Sequence, residues 1–179
     1  MRKKTLKFLL ALLTAFILMI VFRALAFTTY TVDGQGLSPL LLNGDRVLVN
    51  RWSYGLRIGS NNSLFGYARL YRQPVERGDI VAFENPSHKD DVLICRCKAV
   101  PGDTVNYDGK TILVPGTKDC ADVDYYWMEA IGKANATDSR QLGLISEKFI
   151  IGRVVRIAYS HAPGQSLFKG WRNRWMTAL

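Results

Sequence analysis

The chain has 179 residues, of which 48% are hydrophobic, so it can bury a core and global disorder is excluded. Its formal net charge is +9, but five of the 24 basic residues and none of the 15 acidic ones lie in residues 1–27, which leaves +4 on the rest. Because a duplex-binding domain usually concentrates Lys and Arg on one element, nucleic acid is not an expected partner. The three cysteines and two histidines lack the spacing of zinc ligands, so neither a metal nor another cofactor is expected.

The N-terminal segment predicts a membrane anchor. Residues 8–22 form an uncharged apolar run, FLLALLTAFILMIVF, preceded by Arg2, Lys3, Lys4 and Lys7. Basic residues ahead of an apolar run stay in the cytoplasm, so the rest of the chain is exported. A bilayer needs about 20 apolar residues, a length that the segment reaches by continuing to residue 27, because the side chain of Arg23 can extend to the outer interface. We therefore predict a basic tip and anchor over residues 1–27.

A cleaved signal peptide remains the alternative for this segment. Residues 24–26 read ALA, which is the small-x-small pattern of a cleavage site. The charged flank and the length of the run agree with both alternatives. In either case the domain from about residue 28 works outside the cytoplasm.

Three Gly-Asp dipeptides precede β-type residues and predict the starts of strands. They are Gly44-Asp45 before RVLVN, Gly78-Asp79 before IVAFE and Gly102-Asp103 before TVNY. Glycine adopts unusual backbone angles and aspartate bonds its own backbone, which starts a strand cleanly. Residues 112–115 and 149–159 predict further strands, the latter with a bulge at Gly152.

These patterns predict a single all-β, antiparallel domain over residues 28–160. Within it, residues 52–72 and 117–141 look irregular and are predicted to be loops or insertions. Residues 161–179 form a basic, aromatic C-terminal tail. Its segment 169–175, KGWRNRW, mixes cations with amphipathic rings and predicts contact with membrane lipid.

Four ordered segments resemble the signature motifs of signal peptidase I. Residues 34–45, GQGLSPLLLNGD, are similar to Gly-x-Ser-Met-x-Pro-Thr-Leu-x-x-Gly-Asp, and residues 77–83, RGDIVAF, to Arg-Gly-Asp-Ile-Val-x-Phe. Residues 93–103, LICRCKAVPGD, resemble Tyr-Ile-Lys-Arg-x-x-Gly-Leu-Pro-Gly-Asp. Residues 135–143, NATDSRQLG, resemble the Asn-Ser-x-Asp-Ser-Arg-x-x-Gly box. The resemblance implies a signal peptidase β-domain with one membrane helix, on the outer face of the bacterial inner membrane.

The family's chemistry rests on a Ser nucleophile and a Lys general base, and both positions are substituted. A serine attacks an amide only with a base in reach, and a lysine serves as that base only when burial keeps it neutral. Counted from Pro39 and the following Gly-Asp, the nucleophile position holds Gly36. Counted from Arg96, the general-base position holds Cys95.

The last box is retained only in part. Asp138, Ser139 and Arg140 match its Asp-Ser-Arg and are predicted to form a supporting motif. The run before it, AIGKA at residues 130–134, departs from the family's Gly-Asp-Asn-Arg-Asp. The loss of nucleophile, base and part of their support together predicts a site that no longer hydrolyses peptides.

A displaced catalytic pair, Ser38 with Lys98, is the alternative. Ser38 lies two residues past Gly36 and shares its face if the segment is extended. Lys98 lies three residues past Cys95 and therefore on the opposite face unless a bulge intervenes. A thiol mechanism at Cys95 would need a base at Gly36, which has no side chain.

Three functions therefore stay open. The first is a non-cleaving member of the family that keeps a peptide-binding groove, with signal peptides, preproteins or an active paralogue as partners. The second is an active signal peptidase I that uses the displaced pair. The third is an exported binding module released by cleavage after Ala26.

For the cysteines we predict no Cys95–Cys97 disulfide, because neighbours at i and i+2 on a strand are too far apart, whereas a bond to Cys120 stays open.

Overall fold

The computed structural model describes residues 2–34, 36–58, 67–88, 91–119, 121–132, 136–166 and 169–179, and for residues 2–6 and 21–25 it describes the backbone alone. The chain begins with helix α1 (Arg2–Ala26), whose residues 7–20 are all exposed. Among the described residues, no helix is both long and apolar enough to cross a bilayer. The anchor over residues 1–27 therefore stays a prediction.

The rest of the described chain is built from β-strands that pair antiparallel, which confirms the predicted fold class. The strands are β1 (Phe27–Thr31), β2 (Asp45–Asn50), β3 (Leu56–Ile58), β4 (Ala68–Leu70), β5 (Ile80–Glu84), β6 (Val92–Ala99), β7 (Thr104–Tyr107), β8 (Lys110–Leu113), β9 (Tyr125–Glu129), β10 (Ile145–Ser146), β11 (Ile150–His161), β12 (Trp171–Arg172) and β13 (Thr177–Ala178). The main sheet runs β1-β2-β11-β5-β6-β9-β10, and β12 and β13 both pair with β11. A short helix, α2 (Ser139–Leu142), lies between β9 and β10.

Each predicted Gly-Asp turn does precede a strand, and Gly152 does mark a bulge. The register between β11 and β5 shifts between Ile150 and Gly152. A β-carbon on Gly152 would lie 2.2 Å from the backbone oxygen of Asn50, so only glycine fits where β11 crosses the end of β2.

Residues 117–141 differ from the predicted loop or insertion. Strand β9 lies inside this segment, and its Tyr126, Trp127 and Met128 are at most 1% exposed. A strand buried on both faces shows no alternation of polar and apolar residues, which is why the pattern was missed. In the other predicted irregular segment, residues 52–72, strands β3 and β4 pair as a two-stranded hairpin.

The C-terminal tail is part of the sheet rather than a free end. Strands β12 and β13 pair with β11, and the arginines between and within them turn inward. Arg172 and Arg174 both form ion pairs with Asp45, which is fully buried. Trp171 and Trp175 stay exposed. Two of the three cations predicted for lipid headgroups, Arg172 and Arg174, therefore have a partner within the protein, and lipid contact by the tail stays a prediction.

Two apolar clusters cover the two faces of the main sheet. The first includes Val47, Val49 and Ile157, and packs Leu37 and Leu41 of the turn segment after β1 against the sheet. The second includes Val81, Phe83 and Met128, together with Cys95 and Cys97. Alternate residues of a strand face opposite sides, so β5 and β11 contribute to both clusters.

Candidate functional site

A groove of about 900 Å³ runs between two strands that are not neighbours in the sheet. One wall comes from β1 and the residues after it, and the other from the start of β6 and the residues before it. The lining residues are Tyr30, Thr31, Val32, Asp33, Gly34, Gly36, Leu37, Asn85, Ser87, His88, Asp91, Val92, Leu93, Ile94, Cys95, Ala136, Thr137, Gln141 and Leu142. Because β1 and β6 stand four places apart in the sheet yet share a groove, the sheet must curl.

Both walls present strand edges. Among the described strands, β1 pairs only with β2 and forms the end of the sheet. On β6, residues 92–95 pair with β5 alone, because pairing with β9 begins at Arg96. Four antiparallel pairings separate β1 from β6, so the two edges run in the same direction. A groove between two such edges can accept an extended peptide as an added strand.

The two positions predicted to be substituted, Gly36 and Cys95, both line this groove. A β-carbon on Gly36 would lie 2.6 Å from the Cβ of Ala136, and the Cys95 thiol lies 3.9 Å from the backbone oxygen of Thr137. Both positions thus contact one dipeptide, residues 136–137, although they are 59 residues apart in the chain. The counting of the motifs therefore identifies positions that the fold brings together.

Steric overlap, rather than backbone conformation, prevents a larger side chain at Gly36. It does not have a positive φ, so the backbone itself would accept an L-residue. Real Cβ contacts are essentially never as short as the 2.6 Å to Ala136, and a second methyl, that of Ala130, lies 3.6 Å away. The backbone oxygen of Gly36 accepts a hydrogen bond of 2.6 Å from the N–H of Gly132, which holds the turn in place.

Cys95 offers neither a base nor a ready nucleophile. Its side chain belongs to the apolar cluster on the sheet, and the residue is 2% exposed. Burial raises the pKa of the thiol to about 12, helped by the negative charge of Asp138 and opposed by Arg140. Only a thiolate attacks efficiently, so at neutral pH this group is inert. Cys97, on the same face of β6, is also a free thiol, and burial raises its pKa to about 12 as well.

The Asp138-Ser139-Arg140 motif ties α2 to β9. The Asp138 carboxylate accepts from the N–H of Ala130 at 3.0 Å and from the Arg140 guanidinium at 2.6–3.1 Å. Ser139 Oγ accepts from the N–H of Met128 at 2.8 Å. Burial, the largest influence, raises the pKa of Asp138, but the hydrogen bonds from Arg140 and the backbone outweigh it and hold this pKa below its ordinary value. These contacts fix the chain that carries residues 136 and 137 under the groove.

The displaced pair, Ser38 and Lys98, is absent from the groove lining. Ser38 lies within the turns of residues 36–40 rather than in an extended strand, so the face-sharing argument does not apply to it. The register of β6 against β9 does shift between Cys97 and Ala99, yet Lys98 stays exposed while both of its neighbours are buried. The bulge therefore does not turn Lys98 toward Cys95.

Ala136 is the site residue that sequence inspection missed. It faces Gly36 and helps line the groove. The signal was present in the last box, where Asn-Ser-x-Asp-Ser-Arg has a serine at the position of Ala136. A small apolar residue there removes another hydroxyl from the site.

As for metals, no group of three His, Cys, Asp or Glu side chains in the described part of the chain is placed to hold an ion.

Comparison with known proteins agrees with these motifs. The family profile described as signal peptidase, peptidase S26, matches residues 5–130. "Signal peptidase IB" of Staphylococcus aureus (strain Mu50 / ATCC 700699) is 30% identical over 118 residues, which cover 66% of this chain and 52% of that protein. "Signal peptidase I" of Buchnera aphidicola subsp. Baizongia pistaciae (strain Bp) is 32% identical over 94 residues, 51% of this chain and 29% of that protein. The chain spans about half the length of the Staphylococcus relative that it matches.

Proposed function

The chain belongs to the signal peptidase family, peptidase S26, and on that premise we propose that it is a non-cleaving member that binds extended peptides. The observation that carries this proposal is the contact between Gly36 and Ala136. The nucleophile position has no hydroxyl, and the space that a serine side chain needs is taken by a methyl group. A fold shared with enzymes does not supply activity when the reacting groups are missing.

The general-base position supports the same conclusion. A thiol with a pKa of about 12 neither removes a proton from a serine nor acts as a thiolate. The remaining motif residues, Asp138, Ser139 and Arg140, bond one another, the backbone and β9, which explains why they are present without catalysis. Their contacts serve the shape of the groove.

The groove itself supports peptide binding. Its two parallel strand edges offer backbone N–H and C=O groups to an added strand, and this mode of binding gives affinity through the main chain. Signal peptides and preproteins are the ligands that the family implies, with an active paralogue as a further partner. In this proposal the domain lies on the outer face of the bacterial inner membrane, which the apolar run of α1 and its basic flank support.

The alternative of an active peptidase requires Ser38 and Lys98 to meet a bound peptide. Neither residue lines the groove, and Lys98 lies on the opposite side of β6 from Cys95. A peptide held by the strand edges would therefore lie away from both groups.

Peptide binding is tested with two matched variants on one strand. Thr31 lines the groove, whereas Thr29 lies two residues earlier on β1, is also exposed and is outside the lining. In the full chain in nonionic detergent, Thr31→Trp should weaken binding of a fluorescent signal peptide at least tenfold, while Thr29→Trp should leave it unchanged. Equal binding by both variants, or no binding by the unmodified chain, would reject the groove as a peptide site.

A further inference from the structure

The described lining of the groove is acidic in a protein that is strongly basic. Its charged side chains are Asp33 and Asp91, both exposed, with His88 nearby, and it includes neither Lys nor Arg. The whole chain carries a formal charge of +9. Lys89, Asp90 and Lys133 fall outside the described residues.

Two other cavities of the described chain do not share this character. The cavity beside β4 is lined by Arg69, Arg72 and Lys148 as well as by acids. The cavity beside Tyr54 has Arg153 on its wall, where the arginine pairs with Asp79. Acidity without a compensating cation is therefore a property of the described groove lining.

The two carboxylates stand on opposite walls at the same end. Asp33 precedes Gly36 by three residues, and Asp91 precedes Cys95 by four. Because the two walls run in the same direction, both aspartates are displaced the same way from the point where Gly36 and Cys95 meet residues 136–137. Residues 92–95 of β6 are extended, so at about 3.3 Å per residue Asp91 lies roughly 13 Å before Cys95. On the other wall the chain bends at Gly34, which has a φ of 85°, so Asp33 is not spaced from Gly36 as in an extended strand.

We propose that this groove selects an extended peptide with a Lys or Arg three to four residues from the residue that lies over the Gly36–Cys95 floor. The proposal deepens the peptide-binding function above and rests on it. The main chain of the peptide bonds the strand edges, and its cation lies between Asp33 and Asp91. A long basic side chain reaches either wall, so the pair of carboxylates recognises charge rather than a single geometry.

The size of the effect follows from the exposure of both aspartates. Exposed ion pairs contribute little and are screened by salt, and charges at the edge of an interface act mainly on association and salt dependence. One cation on the peptide should therefore tighten binding roughly two- to fivefold at low salt. At high salt the advantage should shrink toward zero.

The experiment compares nine-residue Val/Thr/Ala peptides that carry Lys, norleucine or Glu at one scanned position. Binding to the full chain in nonionic detergent is measured by fluorescence anisotropy at low and high salt. The chain, its Asp33→Asn, Asp91→Asn and double variants, and an Asp108→Asn control are compared. Asp108 is an exposed acid in the β7–β8 turn with a φ of 52°, a conformation that asparagine also adopts.

At one or two adjacent positions, we expect the Lys peptide to bind most tightly, the norleucine peptide next and the Glu peptide most weakly. This difference in affinity should disappear at high salt and in the double variant but remain in Asp108→Asn. Equal binding of the three peptides at every position would overturn the charge preference and leave peptide binding standing. A preference that survives in the double variant would also overturn it, because the charge would then be recognised elsewhere. Absence of binding by all three peptides would overturn the peptide-binding function and this preference together.

Discussion

A β-carbon on Gly36 would lie 2.6 Å from the Cβ of Ala136, so the turn at the predicted nucleophile position has neither a hydroxyl nor room for one. Glycine at position 36 and the close approach of the chain at position 136 go together, since the β-carbon of Ala136, which a serine would also carry, lies too close to where a β-carbon at position 36 would be. This pairing distinguishes a remodelled site from a single lost residue. It also defines what any reconstruction of the active site must first undo.

Gly36→Ser should destabilise the protein by about 1–3 kcal/mol, because the added atoms overlap a methyl group in a packed turn. Adding Ala136→Gly should recover most of that loss by opening the space. Urea unfolding of the two single variants and the double variant measures the coupling. Additive effects of the two substitutions would contradict the contact on which the proposed function depends.

The thiols of Cys95 and Cys97 should resist alkylation in the folded protein. With pKa values of about 12, about one thiol in ten thousand is ionised at pH 8, and both residues are buried. In a Cys120→Ser background, iodoacetamide should label neither residue until urea is added. Rapid labelling of native Cys95, or a Cys95–Cys97 link in the mass spectrum, would contradict this expectation.

The raised pKa values of the same two thiols predict that the protein loses stability at alkaline pH. Their folded pKa lies above the ordinary value of 9.0, so the stabilisation is complete below about pH 9 and declines as pH rises toward about 12, where only the unfolded chain ionises. Tyr126, whose pKa burial also raises to about 12, acts in the same direction. A Cys95→Ala/Cys97→Ala variant should therefore show a flatter decline of the free energy of unfolding between pH 9 and 11.

Arg174 should prove essential for the stability of the domain. Its guanidinium pairs with the buried Asp45 and donates to the backbone oxygen of Leu40 at 2.5 Å. Arg174→Met leaves that carboxylate with Arg172, 3.7 Å away, as its ion-pair partner and should cost about 3 kcal/mol. Adding Asp45→Asn should restore part of the loss by removing the buried charge. If Arg174→Met unfolds at the same urea concentration as the exposed-site control Arg96→Met, the contacts of Arg174 with Asp45 and Leu40 contribute nothing to stability.

The N-terminal segment should hold the protein in the membrane. The basic flank and the apolar run of α1 predict that carbonate extraction leaves full-length chain in the membrane fraction. A variant with Leu12 and Leu18, both exposed on α1, changed to Lys should be extracted, because charge in the run opposes insertion. A soluble product that begins near residue 27 would establish the cleaved signal peptide instead.

Sequence patterns predicted the local part of this fold. The Gly-Asp turns marked the starts of β2, β5 and β7 because their geometry depends on adjacent residues alone. Counting positions within the motifs selected Gly36 and Cys95 for the same reason. Strand β9 was missed because it is buried on both faces, and the tail strands were missed because only long-range partners such as Asp45 stabilise them. The contact of Ala136 with Gly36 spans 100 residues, a relationship that no local pattern encodes.

The most direct test of the account is cleavage of a preprotein by the purified full chain in detergent, followed by intact mass. We expect the preprotein to keep its mass with the unmodified chain and with Gly36→Ser, Cys95→Lys and their combination, since the β-carbon of Ala136 still occupies the space that a serine at position 36 needs. Only variants that also carry Ala136→Gly have room for a serine. Cleavage at the signal peptide boundary by the unmodified chain, abolished by Ser38→Ala, would contradict the account and identify Ser38 as the nucleophile. The same cleavage abolished by Cys95→Ala would contradict it in favour of a thiol mechanism.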